Sequence, residues 1–574
     1  MADKAVKCGS FSVVQSVLEL EDILGHIFSF INDCSSISLV CKKWYNVDSR
    51  TRKKVTVTSC YAIDSSRLTE RFQALQALKI RGKPRAAMFR LVPDEWGGYA
   101  RPWITEISRN CTHLNSIYLR RMVVTDEELS TLVMARGRIL QVLKLVKCSG
   151  FSTDGLKAVA THCRVLRVLC IEECTLEDHS GNWLHELSQR NSTLESLNIS
   201  GSDLQHVEPD DLLNLTLNCQ SLVSLKLNDF ELEDLREIFR KATALQELGG
   251  VSIGESHSKE IILPSRLTSL VSLAYNGIGE GDEAVNSLVQ PIATGLKKID
   301  LQFAFLSVPG HCELLGHCSN LEALEVFNAI GDEGLDVIAS HCKKLRWLRV
   351  ERGDREVQQG FVTQRGLISV ALNCHQLEYI AVYVTDINNA ALKTIAANCP
   401  NLTDFRLVLL DEDNEVADFP LDDGVRDLMQ SCPGIHHFAL YLRPGFLTDK
   451  GMEVIGMYGG NLKWTLFGLL GESDRGIELF AKGCPKLKRL EIRDCVFSER
   501  AIASAVQEME ALNYVWVQGY NSTGTGRDLL PLTRKYWNVE LIDEPDAPAQ
   551  FVAYRCLSGK RTDAPPIVTI LGWP

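Results

Sequence analysis

A seven-residue unit of form L-x-x-Φ-x-Φ-x, where Φ is apolar, returns along most of the chain and limits what it can fold into. The clearest copies are "LRWLRVE" from Leu345, "LEYIAVY" from Leu377, "LTDFRLV" from Leu402, "IHHFALY" from Ile435, "LKRLEIR" from Leu487 and "LNYVWVQ" from Leu512. Earlier copies include "LQALKIR" from Leu75, "LNSIYLR" from Leu114, "LQVLKLV" from Leu140, "LESLNIS" from Leu194, "LVSLKLN" from Leu222 and "LEALEVF" from Leu321. A turn and a helical run such as "TDGLKAVATHC" or "GDEGLDVIASHC" usually follow. Cys318, Cys342, Cys374, Cys399 and Cys432 recur at the helix ends, 24, 32, 25 and 33 residues apart. One short strand and one helix per unit is the signature of a leucine-rich repeat. Such a unit cannot bury its apolar face alone, so the units stack. The expected fold class is α/β, a leucine-rich-repeat solenoid (horseshoe). The longer intervals hold inserted loops, "ERGDREVQQGFVTQRG" and "LLDEDNEVADFPLDDG", of a length that usually serves function.

The 574 residues, 45% apolar and 23% charged, suit a large core. No apolar run reaches the roughly 18 residues of a membrane helix, and "MADKAVKCGSF" lacks a signal-peptide core. The chain is therefore expected in the nucleus or cytoplasm, with no membrane partner and its 19 cysteines reduced. A net charge of −12 argues against nucleic acid as a partner. No metal is expected: "HCELLGHC" and "CIEEC" lack the paired spacing of a structural zinc site. Catalysis is not expected either, since no nucleophile elbow or glycine-rich phosphate loop occurs.

Side chains alternate across a strand, so positions four and six of the unit enter the core while five and seven face away. Position five holds Lys79, Tyr118, Arg349, Ala381, Arg406, Ala439, Glu491 and Trp516; position seven holds Arg81, Arg120, Glu351, Tyr383, Val408, Tyr441, Arg493 and Gln518. Cations gathered on one face of an acidic protein repel unless an anion neutralises them. Interleaved tyrosines and alanines suit a small-molecule pocket, and arginine's planar fork suits carboxylate or phosphate. The insertion "KIRGKPRAAMFRLVPDEWGGY" follows an early strand. Its loop is expected to arch over that face, stiffened by Pro84, bringing Arg85 as a further cation and Met88 with Phe89 as an apolar wall.

Residues 17–47 break the strand pattern: Leu20, Ile23, Leu24, Ile27, Phe28 and Ile31 recur at helical spacing, and a second helix runs through Val40 and Trp44. A three-helix segment of about forty residues cannot bury this much apolar surface alone, so it should dock on something. "LELEDILGHIF" and "SLVCKKWYNV" resemble an F-box, although Glu19 and Leu20 follow Leu18 where that motif has proline. The resemblance implies a Skp-type adaptor, and through it a cullin scaffold, contacted by Leu18, Leu20, Ile23, Leu24, Ile27, Phe28, Val40 and Trp44. The expected organisation is a flexible N-terminus (1–15), the F-box (16–57), the solenoid (58–542) and a C-terminal cap (543–574).

"GKPRAAMF", "WGGY", "FRLVLLD", "GESD", "FSERAI", "WVQGY" and the late "GKRTDAPP" together resemble the coronatine-insensitive family of plant jasmonate receptors. The likeness runs from about residue 16 almost to the end. It implies a non-catalytic substrate-recognition subunit of an SCF-type ubiquitin ligase, which binds jasmonoyl-isoleucine or coronatine and captures JAZ transcriptional repressors for ubiquitination. By that resemblance Arg85, Arg349 and Arg406 would hold the hormone's carboxylate and amide region beside Tyr383, and Tyr441 with Arg493 would grip its ring ketone. Phe89, Leu91, Ala381, Val408, Leu410, Leu466 and Trp516 would form apolar walls. It also implies an inositol polyphosphate cofactor, for which Lys79, Arg81, Arg120, Arg121, Arg406 and Arg489 are the candidate cations. Trp347 and Asn513 stand where the family would lead one to expect basic residues. Two alternatives remain at this level: an auxin-type F-box receptor, and a hormone-independent F-box reader of an acidic or phosphorylated degron.

Overall fold

The computed structural model describes residues 21–31, 36–178, 181–204, 207–254, 261–353, 361–410, 418–533, 536–545, 547–557 and 559–572. The predicted flexible N-terminus, Leu18, Leu20, and residues 354–360 and 411–417 of the two long insertions lie outside them. Two compact units form. The first comprises Met1–Pro84, Gly98–Leu194 and Asp203–His206; the second comprises Arg85–Gly97, Glu195–Ser202 and Val207–Pro574. Each is an α/β stack of leucine-rich repeats.

In the first unit, strands Lys54–Val57, Ala77–Arg81, Ser116–Arg120, Val142–Val146 and Val168–Glu172 pair in parallel, each with the next. In the second, parallel strands run in chain order from Ser196–Asn198 to Tyr514–Gln518. Antiparallel strands Trp537–Ile542, Gln550–Arg555 and Val568–Ile570 then close that sheet. Positions four and six of the unit are buried as expected, Leu348, Val350, Phe405 and Leu407 being sealed from solvent, and so is position one, at Leu345 and Leu402. Each such side chain contributes about 1.5–3 kcal/mol on leaving water.

The repeats are also tied by a carboxylate relay. Asp332, in the first turn of its helix, accepts from the Thr363 amide at 2.9 Å, the Thr363 hydroxyl at 2.6 Å and the Gly366 amide at 3.1 Å. Thr363 is the N-cap of the following helix, so one carboxylate satisfies donors that a helix start leaves unpaired. Asp126 serves Ser152 and Gly155 in the same way, Asp282 serves Ser307, and Asp422 serves Thr448. The approach requires glycine: a Cβ on Gly366 would lie 2.5 Å from Asp332 Oδ1, and one on Gly155 2.3 Å from Asp126 Oδ1.

The recurring cysteines close helices. Cys342, Cys374, Cys399 and Cys432 are C-caps, and the Cys342 and Cys432 thiols donate to the Cys318 and Cys399 carbonyls, each at 3.4 Å. Burial pushes the Cys342 and Cys399 thiols up to about 12, so they stay protonated and inert. His311 is likewise structural. Burial drives it down to about 4 although its Nδ1 lies 2.8 Å from the Ser307 carbonyl. Among the described residues no His/Cys/Asp/Glu group could hold a metal ion, and no helix is long and apolar enough to cross a membrane.

Near the N-terminus, helices Glu21–Ser29, Ile37–Val40 and Lys42–Thr51 enclose Leu24, Phe28, Ile37 and Val47, with Trp44 packed against them. This corrects part of the adaptor assignment: Leu24 and Phe28, one turn apart, face inward and hold the helices together. Ile23, Ile27 and Val40 are exposed, as are Phe30, Ile31, Leu39 and Tyr45. The first helix is apolar on two sides, and helical spacing alone did not say which side the segment keeps for itself.

Candidate functional site

The chain leaves the first unit at Pro84 and returns to it at Gly98; the residues between belong to the second. They fold as two short 3-10 turns, Arg85–Phe89 and Asp94–Trp96. Gly97 and Gly98 follow with φ of 117° and 90°, backbone values that glycine adopts at little cost.

Within the second unit, Arg85, Ala86, Met88, Phe89 and Leu91 join the outward-facing positions of the strands from Trp347–Glu351 to Tyr514–Gln518 around a cavity of about 550 Å³. That lies in the range of roughly 300–1,000 Å³ that holds small molecules. Every residue assigned above to the hormone lines it: Arg85, Phe89, Leu91, Arg349, Ala381, Tyr383, Arg406, Val408, Leu410, Tyr441, Leu466, Arg493 and Trp516. Parallel register explains the convergence, because Arg349 lies beside Ala381, Ala381 beside Arg406, and Arg406 beside Ala439. The alanines open the space between the guanidinium groups.

Five arginines and two glutamates line the cavity. Some of the arginines are held by carboxylates. Arg349 donates from Nε to Glu351 at 2.6 Å and from Nη1 to Glu325 at 3.2 Å. Burial opposes its charge, but Glu351 and Glu325 outweigh that and raise its pKa. Arg493 lies 3.2 Å from Asp494, which accepts the Tyr441 hydroxyl at 3.1 Å. Burial, with Asp494 adding to it, holds the Tyr441 phenol above its ordinary value. Burial likewise raises Tyr383.

Arg85 differs. Its guanidinium lies 4.9 Å from the centre of the Trp464 ring, and it has no ion pair among the described residues. Burial lowers its pKa against the pull of Glu491, and the Arg406 and Arg489 charges lower it further. Arg406 lies 5.0 Å from the same ring and 5.3 Å from Tyr379. Its nearest carboxylate, Asp404, is 3.5 Å away and is shared with His437 at 2.7 Å. The Arg406 Nε and the Trp516 indole N–H are buried with no hydrogen-bond partner. Buried donors of this kind cost about 1–3 kcal/mol each, a cost that an anion with further acceptors would remove. The cavity can therefore take a small acid with an apolar body.

Sequence reasoning missed Tyr379 and Trp464, which line the cavity from position three of their repeats. The strand alternation that marked five and seven marks position three as well.

The inositol-phosphate candidates fall in both units. Lys79, Arg81, Arg120 and Arg121 are in the first, Arg406 and Arg489 in the second. In the first unit Lys79 registers with Tyr118 and Arg81 with Arg120. Burial and the Arg81, Arg120 and Lys144 charges push Lys79 down to about 8, and Arg120 Nε is buried with no hydrogen-bond partner. These residues fit a polyanion. Arg121 is committed elsewhere: its Nε donates to the Lys83 carbonyl at 2.8 Å. In the second unit Arg489 contacts Glu491 at 3.3 Å and lies 4.8 Å from the Tyr514 ring.

Residues 16–54 match the F-box family model, and residues 73–119 match the model of the Transport inhibitor response 1 protein domain. Coronatine-insensitive protein 1 of Arabidopsis thaliana is 44% identical, with 100% of each chain covered. Coronatine-insensitive protein homolog 1b of Oryza sativa subsp. japonica is 47% identical over 97% of this chain and 96% of its own length. GRR1-like protein 1 of Arabidopsis thaliana is 36% identical over 95% and 96%. F-box, repeat stack and full-length identity agree: the chain belongs to the coronatine-insensitive family, as a non-catalytic F-box receptor subunit of an SCF complex.

Proposed function

We propose that the cavity binds jasmonoyl-isoleucine or coronatine, and that the filled cavity recruits a JAZ repressor peptide for ubiquitination by the assembled ligase. The observation that carries this reading is the pairing of Arg85 and Arg406 on the Trp464 ring, in a cavity whose remaining walls are largely apolar. Two guanidinium groups on one ring repel, and a ligand carboxylate between them would relieve both. Arg349 with Tyr383, and Arg493 with Tyr441, would take further acceptors along the ligand. Phe89, 56% exposed although it lines the cavity, would leave an apolar edge for the repressor peptide to complete. Capture then strengthens by as much as hormone and peptide favour one another in the joint complex.

Lys79, Arg81 and Arg120 would hold an inositol polyphosphate, which supplies negative charge that offsets the repulsion among them. The exposed apolar residues of the F-box, Ile23, Ile27 and Val40 among them, would bind the Skp-type adaptor and so the cullin scaffold. Action on transcriptional repressors would call for the complex in the nucleus. The test is capture of a JAZ peptide by the purified adaptor complex with jasmonoyl-isoleucine, with auxin, or with neither. The proposal expects capture only with the jasmonate. Equal capture in all three arms would establish a direct degron reader, and capture with auxin alone an auxin-type receptor.

A further inference from the structure

The segment that brings Arg85 and Phe89 to the cavity is fastened from the far end of the chain. Arg561 Nη1 donates to the Trp96 carbonyl at 2.6 Å, and its guanidinium lies 4.3 Å from the centre of the Trp96 ring. Arg561 Nε is 2.9 Å from Glu540, and the two side chains are only 2% and 0% exposed. Glu540 is held in turn by the Tyr554 hydroxyl at 2.6 Å and the Asn538 amide at 2.5 Å. In the middle of the segment, two residues past Phe89, the Gln550 side-chain amide donates to the Leu91 carbonyl. A buried charge pair of this kind is weak evidence for overall stability, but breaking it by removing one partner leaves an uncompensated buried charge, so the groups around it are sensitive to its loss. None of these latch residues lines the cavity except through Leu91.

We infer that Arg561 and Glu540 are positioning residues of the ligand cavity: the Arg561–Glu540 pair latches Trp96, and so holds Arg85–Gly97 where Arg85 and Phe89 complete the site. The carbonyl of Trp96 is a fixed anchor seven residues past Phe89. With it released, the stretch past Leu91 loses its anchor, and the 3-10 turn that carries Arg85 is held from that side by the Gln550–Leu91 hydrogen bond. Ligand-dependent capture thus depends on a side chain that does not line the cavity.

The ligand arm of the test rests on the jasmonate reading above; the exchange arm does not. Amide hydrogen exchange is measured on the full chain with its adaptor, without ligand, for wild type, Arg561→Met and Arg561→Lys. Jasmonoyl-isoleucine-dependent peptide capture is then measured on the same samples. In Arg561→Met, exchange should rise about tenfold or more across residues 86–97, a local opening, with the strands from Trp347 to Tyr441 unchanged. Capture should fall by a similar factor, and Arg561→Lys should recover part of both. Unchanged exchange in residues 86–97, or a rise spread evenly over the unit, would overturn the latch. If Arg561→Met does not fold, the same readings on Arg561→Lys decide. A wild type that captures nothing with jasmonate would sink the hormone reading while the exchange arm still judges the latch.

Discussion

The Arg85 and Arg406 guanidinium groups lie 4.9 and 5.0 Å from the centre of one aromatic ring, that of Trp464. A buried ring can hold a cation with about 2 kcal/mol or more. Trp464→Ala should therefore weaken jasmonoyl-isoleucine-dependent peptide capture by at least tenfold while leaving adaptor binding intact. Trp464→Phe should lose less. Calorimetric titration of the adaptor complex reads both.

Lys79 gives a pH signature. Its folded pKa, pushed down to about 8, lies below the roughly 10.4 of an unfolded lysine. Between those values the unfolded chain binds more protons, so stability rises as pH climbs from about 8 towards 10 and the cost is fully present below 8. The melting temperature should show that rise in wild type and lose it in Lys79→Met. Inositol hexakisphosphate at pH 7 should raise the wild-type melting temperature by favouring the charged form, and should act less on Lys79→Met.

The F-box separates packing from docking. Leu24→Ala empties a fully buried position and should cost about 2–5 kcal/mol of local stability. Leu39→Asp and Ile27→Asp alter exposed side chains, so they should abolish adaptor binding with little change in melting temperature. Adaptor pull-down beside thermal melts distinguishes the two classes.

Asp422 tests the relay between repeats. It accepts from the Thr448 amide at 3.1 Å and from the Thr448 hydroxyl, so Asp422→Ala removes an acceptor from the helix start that Thr448 caps. A loss of about 1–3 kcal/mol is expected, read by urea unfolding. Asp422→Asn should lose less.

The repeat was legible because its period is that of the strand and helix themselves. Burial at Leu348 and Val350, and the outward turn of Arg349 and Arg406, follow from alternation alone. What could not be read were pairings across long separations. Arg561 and Trp96 are 465 residues apart, and neither carries a periodic mark. Nor could the sequence show that Glu325 and Glu351 occupy Arg349, because the balance between neighbouring charges depends on side-chain geometry. Leu24 and Phe28 were assigned outward because helical spacing groups apolar residues without saying which group meets its own chain.

The central claim is that the Arg406 guanidinium meets a ligand carboxylate in the cavity. Jasmonoyl-isoleucine-dependent binding of a JAZ peptide to the adaptor complex should weaken in Arg406→Ala by about 2–5 kcal/mol, the cost of stripping one partner from a buried charge pair, with adaptor binding unchanged. Capture by Arg406→Ala as tight as by wild type would contradict the account.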